Sequence, residues 1–370
     1  MKQLLQKAIK EAQALSREER IELLSLEDTS ELFAAALQVK ERWTGRLVSL
    51  RGLVELSNQC SKDCLYCGIR RSNRGVSRYR ISEEDAIRMA RWSFERGYGS
   101  VVLQSGEIEG EENAAYIERI IRGINAFAGD SLGITLCLGE QSDDVYRRWL
   151  EAGAHRYLLR VETSNPQLYS KIHPSNHSFE RRVGCLRSLS RLGYQTGSGV
   201  MIGLPGQSVA DLADDIEFFR ELDLDMIGMG PWLPHHDTPL GKGVTLSPEE
   251  NEAQLKMGLK MIAVTRLYLH DINIAATTAL QALQDDGREQ GLLAGANVLM
   301  PNVTDVEHRK NYQLYENKPC LDENSEQCRN CLNNRVIAIG QEINWGKRGD
   351  PPHFKRRMDN EDTRTHGHTD

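Results

Sequence analysis

The chain has 370 residues and carries 53 acidic against 46 basic side chains, a formal net charge of −7. That length exceeds one ordinary domain but suits an α/β barrel, and the acidic balance gives no electrostatic reason to coat nucleic acid or an anionic membrane. No stretch is apolar for long enough to cross a bilayer, and the amphipathic N-terminus lacks a secretory core, so a cytoplasmic enzyme is expected.

Residues 1–46 read as an N-terminal helical segment covering the bottom or flank of the larger α/β region. LVSLRGLVELS, from residue 47, reads as the first strand. SEEDAIRMARWSFERG then opens a helix, with Ser82 as N-cap, acids in the first turn, and Ile87, Ala90 and Phe94 on one face. The alternation continues through SVVLQSG, GITLCLG, RYLLRVET, QTGSGVMIG, DMIGMG, NIAATT and ANVLM, with helical patterns between them. The best marked of these has Ser247 at N-cap, Pro248 at N1 and Glu250 at N3.

Apolar strands separated by helices belong to a parallel sheet covered on both faces. About eight such units predict a complete (β/α)8 TIM-type barrel over residues 47–300, with N-terminal and C-terminal extensions. Residues 301–345 complete the barrel region, and 346–370 read as a charged, flexible tail. Polar and glycine residues fall just after the strands, on the rim where barrel active sites are built.

Six of the eight cysteines form two tight groups, Cys60, Cys64 and Cys67, and Cys320, Cys328 and Cys331. A reducing compartment argues against disulfides. Structural zinc remains an alternative for the first group, although it normally takes four protein ligands. Three thiolates suit a four-iron cluster better, because they leave one iron open for a substrate or cofactor.

The C-x3-C-x2-C spacing, with Tyr66 before the third cysteine, resembles the signature of the radical S-adenosylmethionine (SAM) enzymes. The resemblance implies that Cys60, Cys64 and Cys67 hold a 4Fe–4S cluster whose open iron chelates SAM. An electron from the cluster would then release a 5′-deoxyadenosyl radical. Gln104, Ser105, Gly106 and Glu107 resemble the short glycine segment that receives the SAM amino group. Arg182 is a candidate for the SAM carboxylate, and Arg160 and Glu162 end the fourth strand facing the pocket. Met201, in GVMIGLPGQ, and Thr135, in GITLCLG, complete the expected SAM site. Taken singly, the arginine and the glycines are equally explained as surface and turn residues.

ELSNQC, CLYCGIRR, VVLQSGE, RYLLRVETSNP, MIGMGPWLPHHDTPL, IAATTAL, GANVLMPN and YQLYENKPC together resemble the HydE maturase family of iron–iron hydrogenases, over about residues 47–345. Methylornithine synthase and biotin synthase are the alternatives, with a non-enzymatic iron–sulfur scaffold as a third. The resemblance implies a part in assembling the hydrogenase H-cluster. The substrate would be a small organometallic one, a cysteine-bound iron complex with carbonyl and cyanide, or else an amino-acid-derived molecule. Companion maturases and a low-potential electron donor would be partners. Arg51, Thr277, Thr278 and Arg288 are candidate substrate anchors. Met300, Tyr312 and Tyr315 would line or cap the cavity; core packing and β-propensity explain the methionine, tyrosines and threonines equally well. The second triplet resembles an auxiliary 2Fe–2S or 4Fe–4S site of that family, with three free thiols on a surface loop as the alternative.

Overall fold

A computed structural model describes residues 1–322 and 324–366, with side chains described through Asp359. Among the described residues eleven strands occur in chain order. They are β1 (Leu47–Ser57), β2 (Ser100–Ser105), β3 (Gly133–Cys137), β4 (Arg156–Leu158), β5 (Gln195–Ser198), β6 (Met201–Ile202), β7 (Met226–Ile227), β8 (Gly230–Pro231), β9 (Asn273–Ile274), β10 (Val298–Leu299) and β11 (Glu342–Ile343). All their ladders are parallel, in the order β10-β1-β2-β3-β4-β5-β7-β9, with β11 added to the start of β1 and β6 paired to β8.

The parallel pairing follows from composition. β1 is buried on both faces, Val48, Leu50, Val54 and Leu56 on one and Ser49, Arg51 and Glu55 on the other, which requires helices on the outside and side chains within. Those helices begin where serine can accept a hydrogen bond from the first turn. Ser82, Ser142, Ser178, Ser208 and Ser247 all cap this way, the last two in reciprocal capping boxes with Asp211 and Glu250. The three N-terminal helices, Lys2–Lys10, Arg17–Leu24 and Ser30–Thr44, pack on the outer helix Pro248–Tyr268. Buried Lys40 is held there by the Leu292 carbonyl and the Gln341 side chain, and burial lowers its pKa to about 7.

The sheet curls into a barrel-type wall. Its end strands, β9 and β10, meet through the isolated bridge Ala275–Val298 and through bonds from Asn297 N to Ile274 O and Ala276 N to Val298 O. This is a seam rather than a ladder, because β9 and β10 are two residues each.

The expectation of a flexible tail is corrected for its described part. Residues 346–350 pass under the N-terminal ends of the strands, and a helix comes next over Pro352–His366. Asp350 bonds Arg156 at 2.5 Å and Gln195 at 2.6 Å, while the Arg348 carbonyl accepts from Ser100 and Arg156. Arg357 reaches Asp225 at 2.8 Å, Arg356 reaches Asp271 at 2.6 Å, and His353 bridges Asp223 and Asp271. The sequence looked loose because it is polar, yet its charges match buried charges at the starts of β4, β7 and β9. The final four residues of that expected tail lie outside the described residues.

Candidate active site

The loop after β1 carries Cys60, Cys64 and Cys67 over the C-terminal rim. It is pinned to the end of β2 by bonds from Ser61 N and Oγ to the Glu107 carbonyl and from Glu107 N to Cys60 Sγ (3.3 Å). Gly106 makes this approach possible. A Cβ there would stand 2.2 Å from Gln59 O and 2.8 Å from Cys60 Cβ, so the segment QSGE needs its glycine for packing against the cysteine loop.

Burial pushes the Cys60 and Cys67 thiols up and takes Cys64 to about 12, and neighbouring sulfurs add to the effect on Cys64 and Cys67. Such thiols become ligands when a metal supplies positive charge. The soft, three-sulfur donor set and the glycine cradle fit an iron–sulfur cluster rather than a hard cation. Around them Glu107 and Glu140 face three cations. Lys62 lies 3.0 Å from Glu107, Arg182 lies 2.7 Å from Glu140 and 3.6 Å from Glu107, and Arg181 lies 3.1 Å from Glu140. Despite burial, Arg182 and Lys62 hold the Glu140 carboxyl below its usual range, whereas burial raises Glu107. Arg181 also pairs with Glu109 at 2.6 Å, so three cations meet three carboxylates and the network is balanced within the chain.

Beneath the cysteine loop lies a cavity of about 210 Å³. Of the expected site residues it is lined by Tyr66, Cys67, Gln104, Arg160, Glu162, Met201, Thr277, Thr278, Met300 and Tyr315. Arg160 grips both Glu162 oxygens (3.1 and 3.0 Å) and the Val200 carbonyl. Glu162 has φ +68°, an uncommon conformation for a residue with a side chain. Thr277 bonds the Met229 carbonyl and sits where a Cβ on Gly230 would collide with it, at 2.5 Å. Tyr312 is behind the wall, its hydroxyl accepting from Gln104 Nε2 at 3.1 Å.

Other expected residues fall outside the lining. Arg51 pairs with Ser100 in the ladder, near the opposite end of β1, and its guanidinium reaches Met226 Sδ at 2.9 Å. Arg288 is buried on the helix Gly287–Leu293, close enough to Cys328 and Tyr315 to influence both. Thr135 is buried mid-strand, with no hydrogen-bond partner for Oγ1 among the described residues. Ser105 bonds the carbonyl of Gly106, and Arg182 is spent on Glu140, Glu107 and the Arg160 carbonyl.

Two cavity residues, Glu55 and Lys318, were missed in the sequence. Glu55, 1 % exposed, pairs with Lys318 and accepts from Asn302 Nδ2 at 3.0 Å. Glu55 lies beyond Arg51 and Leu53 at a spacing of two, so alternation along β1 places it on the inward face. In the second triplet, Cys328 and Cys331 lie one turn apart on the helix Ser325–Ala338 rather than on a loop. Cys328 is buried with its thiol pushed up by the adjacent Cys320 sulfur and by burial, and Cys331 is exposed beside Arg335. No described helix is long and apolar enough to cross a membrane.

Residues 54–219 match the family model of the radical SAM superfamily. The FeFe hydrogenase maturase subunit HydE of Thermotoga maritima is 42 % identical over 344 residues, covering 91 % of this chain and 95 % of that protein. Among solved structures, methylornithine synthase (PylB) superposes with a TM-score of 0.77 at 24 % identity, covering 93 % of this chain and 98 % of that one. The FeFe-hydrogenase maturase HydG of Carboxydothermus hydrogenoformans gives 0.76 at 22 %, covering 93 % and 79 %. These two likenesses establish the fold. The family implies a 4Fe–4S cluster and SAM, which the cysteine trio, its glycine cradle and the adjoining cavity fit. With a relative so similar along almost its whole length, the chain belongs to the HydE maturase family and is a radical SAM enzyme.

Proposed function

We propose that this enzyme acts in the assembly of the FeFe hydrogenase active site, on a cysteine-bound iron complex carrying carbonyl and cyanide. The observation that carries the reading is the continuous cavity running from Tyr66 and Cys67 to Thr277, Thr278, Met300 and Tyr315. The 42 % identity to a HydE subunit supports it. Cys60, Cys64 and Cys67 would hold the cluster. Gln104 to Glu107 and the Arg160–Glu162 pair would hold SAM, with Arg182 keeping Glu107 and Glu140 in place. When bound, the cluster and SAM supply a 5′-deoxyadenosyl radical, directed in this reading at the substrate's cysteine sulfur. The protein's own part is orientation and exclusion of water. Lys318 and Glu55 offer charge partners for the carboxylate and ammonium of the cysteine moiety, and the threonine hydroxyls face the same space. We read the β9–β10 seam as closing the sheet into a complete eight-stranded barrel around that space. Companion maturases and a low-potential electron donor belong to the same reading, as does an auxiliary cluster at Cys320, Cys328 and Cys331. Cys320 and burial push the Cys328 thiol up, and Arg288 and Arg309 offset this only in part, so a bound metal would have to supply the charge that makes it a ligand.

The test is turnover by anaerobically reconstituted protein with SAM and dithionite. The synthetic iron–cysteine complex should yield an adenosylated iron product, and lysine should yield none. Turnover of lysine without the iron complex would favour a methylornithine-type reaction instead. For the second triplet, Cys328→Ala should lower the iron content; unchanged iron removes the auxiliary cluster.

A further inference from the structure

The three cluster cysteines meet different hydrogen-bond donors. Cys60 accepts from a peptide N–H, that of Glu107. Cys67 likewise faces a peptide N–H, from Ile69. Cys64 faces two side chains, the Tyr66 hydroxyl and His177, whose Nδ1 is 4.0 Å from Sγ.

His177 is held there by its neighbours. It lies in the turn between the helices Pro166–Ile172 and Phe179–Arg191, where its own N–H bonds the Pro174 carbonyl at 2.9 Å. Its ring stacks on His173 at 5.5 Å, and His173 stacks on Tyr169 at 3.9 Å, both at 26° between planes. Residues 169, 173 and 177 thus form a ladder of rings ending at Cys64.

Proton bookkeeping along the ladder assigns the donor. His173 Nδ1 lies 3.0 Å from the Tyr169 carbonyl, which only accepts, so Nδ1 carries the hydrogen. In a neutral imidazole Nε2 is then an acceptor, and the Tyr66 hydroxyl, 3.2 Å away, donates to it. The Tyr66 hydroxyl also lies against Cys64, but its single proton goes to His173 Nε2. A metal-bound Cys64 sulfur also only accepts, so His177 Nδ1 is the atom that carries a hydrogen toward it. Nε2 of His177 is buried without a hydrogen-bond partner among the described residues, which leaves Nδ1 as the ring's polar contact.

We propose that His177 is a positioning residue that donates an N–H···S bond to the Cys64 thiolate and thereby sets the reduction potential of the cluster. A donor aimed at a ligand sulfur stabilises the more negative, reduced state, so the bond makes the cluster easier to reduce. This rests on the reading of Cys60, Cys64 and Cys67 as the cluster ligands.

The test is an anaerobic redox titration of reconstituted full-length protein without SAM, monitored by electron paramagnetic resonance. His177→Phe, which keeps a ring and removes the donor, should disfavour reduction about tenfold, a shift of about 59 mV to more negative potential for one electron. His177→Gln, which restores an N–H, should return most of that shift. Iron content and melting temperature should match the parent in both. An unchanged potential in His177→Phe with full iron overturns the proposal, and so does a Gln variant no better than Phe. Should the Phe variant fail to load iron, pulsed resonance on wild-type protein with ¹⁵N-histidine decides. A weak nitrogen coupling supports the hydrogen bond. A strong coupling means direct ligation and overturns it, as does no coupling. Wild-type protein that takes up no iron would sink the ligand assignment itself, which is a different result from iron uptake with an unmoved potential.

Discussion

At the N-terminal ends of the strands, buried Arg156 is bonded to Gln195, Ser100, Asp350 and the Arg348 carbonyl. At the C-terminal ends, three half-buried thiols lie beside a balanced network of Lys62, Arg181 and Arg182 with Glu107, Glu109 and Glu140. The lower end answers most of its charges with the chain's own residues; Arg51, bonded through Nη1 to Met226 Sδ, is the exception, with no partner for Nε and Nη2 among the described residues. The upper end gathers three sulfurs to be completed by something bound. The paired groups around Arg156 thus hold the barrel together, while the rim sulfurs wait for a ligand, according to whether the chain supplies their partners.

The sharpest way to break this contrast is Cys64→Ser. It should abolish SAM cleavage, with 5′-deoxyadenosine falling at least about a thousandfold, while thermal unfolding of the apoprotein shifts by less than about 1 kcal/mol. A large loss of stability would make the triplet structural. The converse is Asp350→Ala, which strands the Arg156 guanidinium. Unfolding should become easier by about 3–5 kcal/mol, and SAM cleavage at low temperature should survive. An unaltered melting curve would remove the lower lock.

The smallest effect concerns pH. Despite burial, the Asp223 and Asp271 carboxylates raise His353 from 6.5 to about 9. The protonated form is therefore favoured by folding. Its contribution is complete below about pH 6.5 and is lost as the pH rises through 9. His353→Gln should cost about 1–2 kcal/mol at pH 6 and little at pH 10, read from melting at each pH.

Much of this was legible in the residues. β1, the serine-capped helices and the rim glycines follow from pattern and cap chemistry, and the cysteine spacing located the site. Arg51 was misjudged because strand alternation gives the face but not the depth. It points inward like Glu55, yet four residues at about 3.3 Å each place it some 13 Å below Glu55. Lys318 was missed because it belongs to a loop whose fold depends on Glu55, about 260 positions earlier. The tail was misread for a related reason. Polar composition says that a segment cannot build a core, not that its charges lack buried partners elsewhere.

The pairing of β1 with β10 also bears on how the molecule is made. Ser49 finds its ladder partner Val298 only after about 250 further residues have been synthesised, which at 5–20 residues per second takes roughly 12–50 s. Throughout that interval the nascent chain carries the thiols of Cys60, Cys64 and Cys67 without the finished sheet edge beside them. Oxidation during translation is thus a hazard specific to this topology, and expression without oxygen should raise the fraction of chains that accept iron.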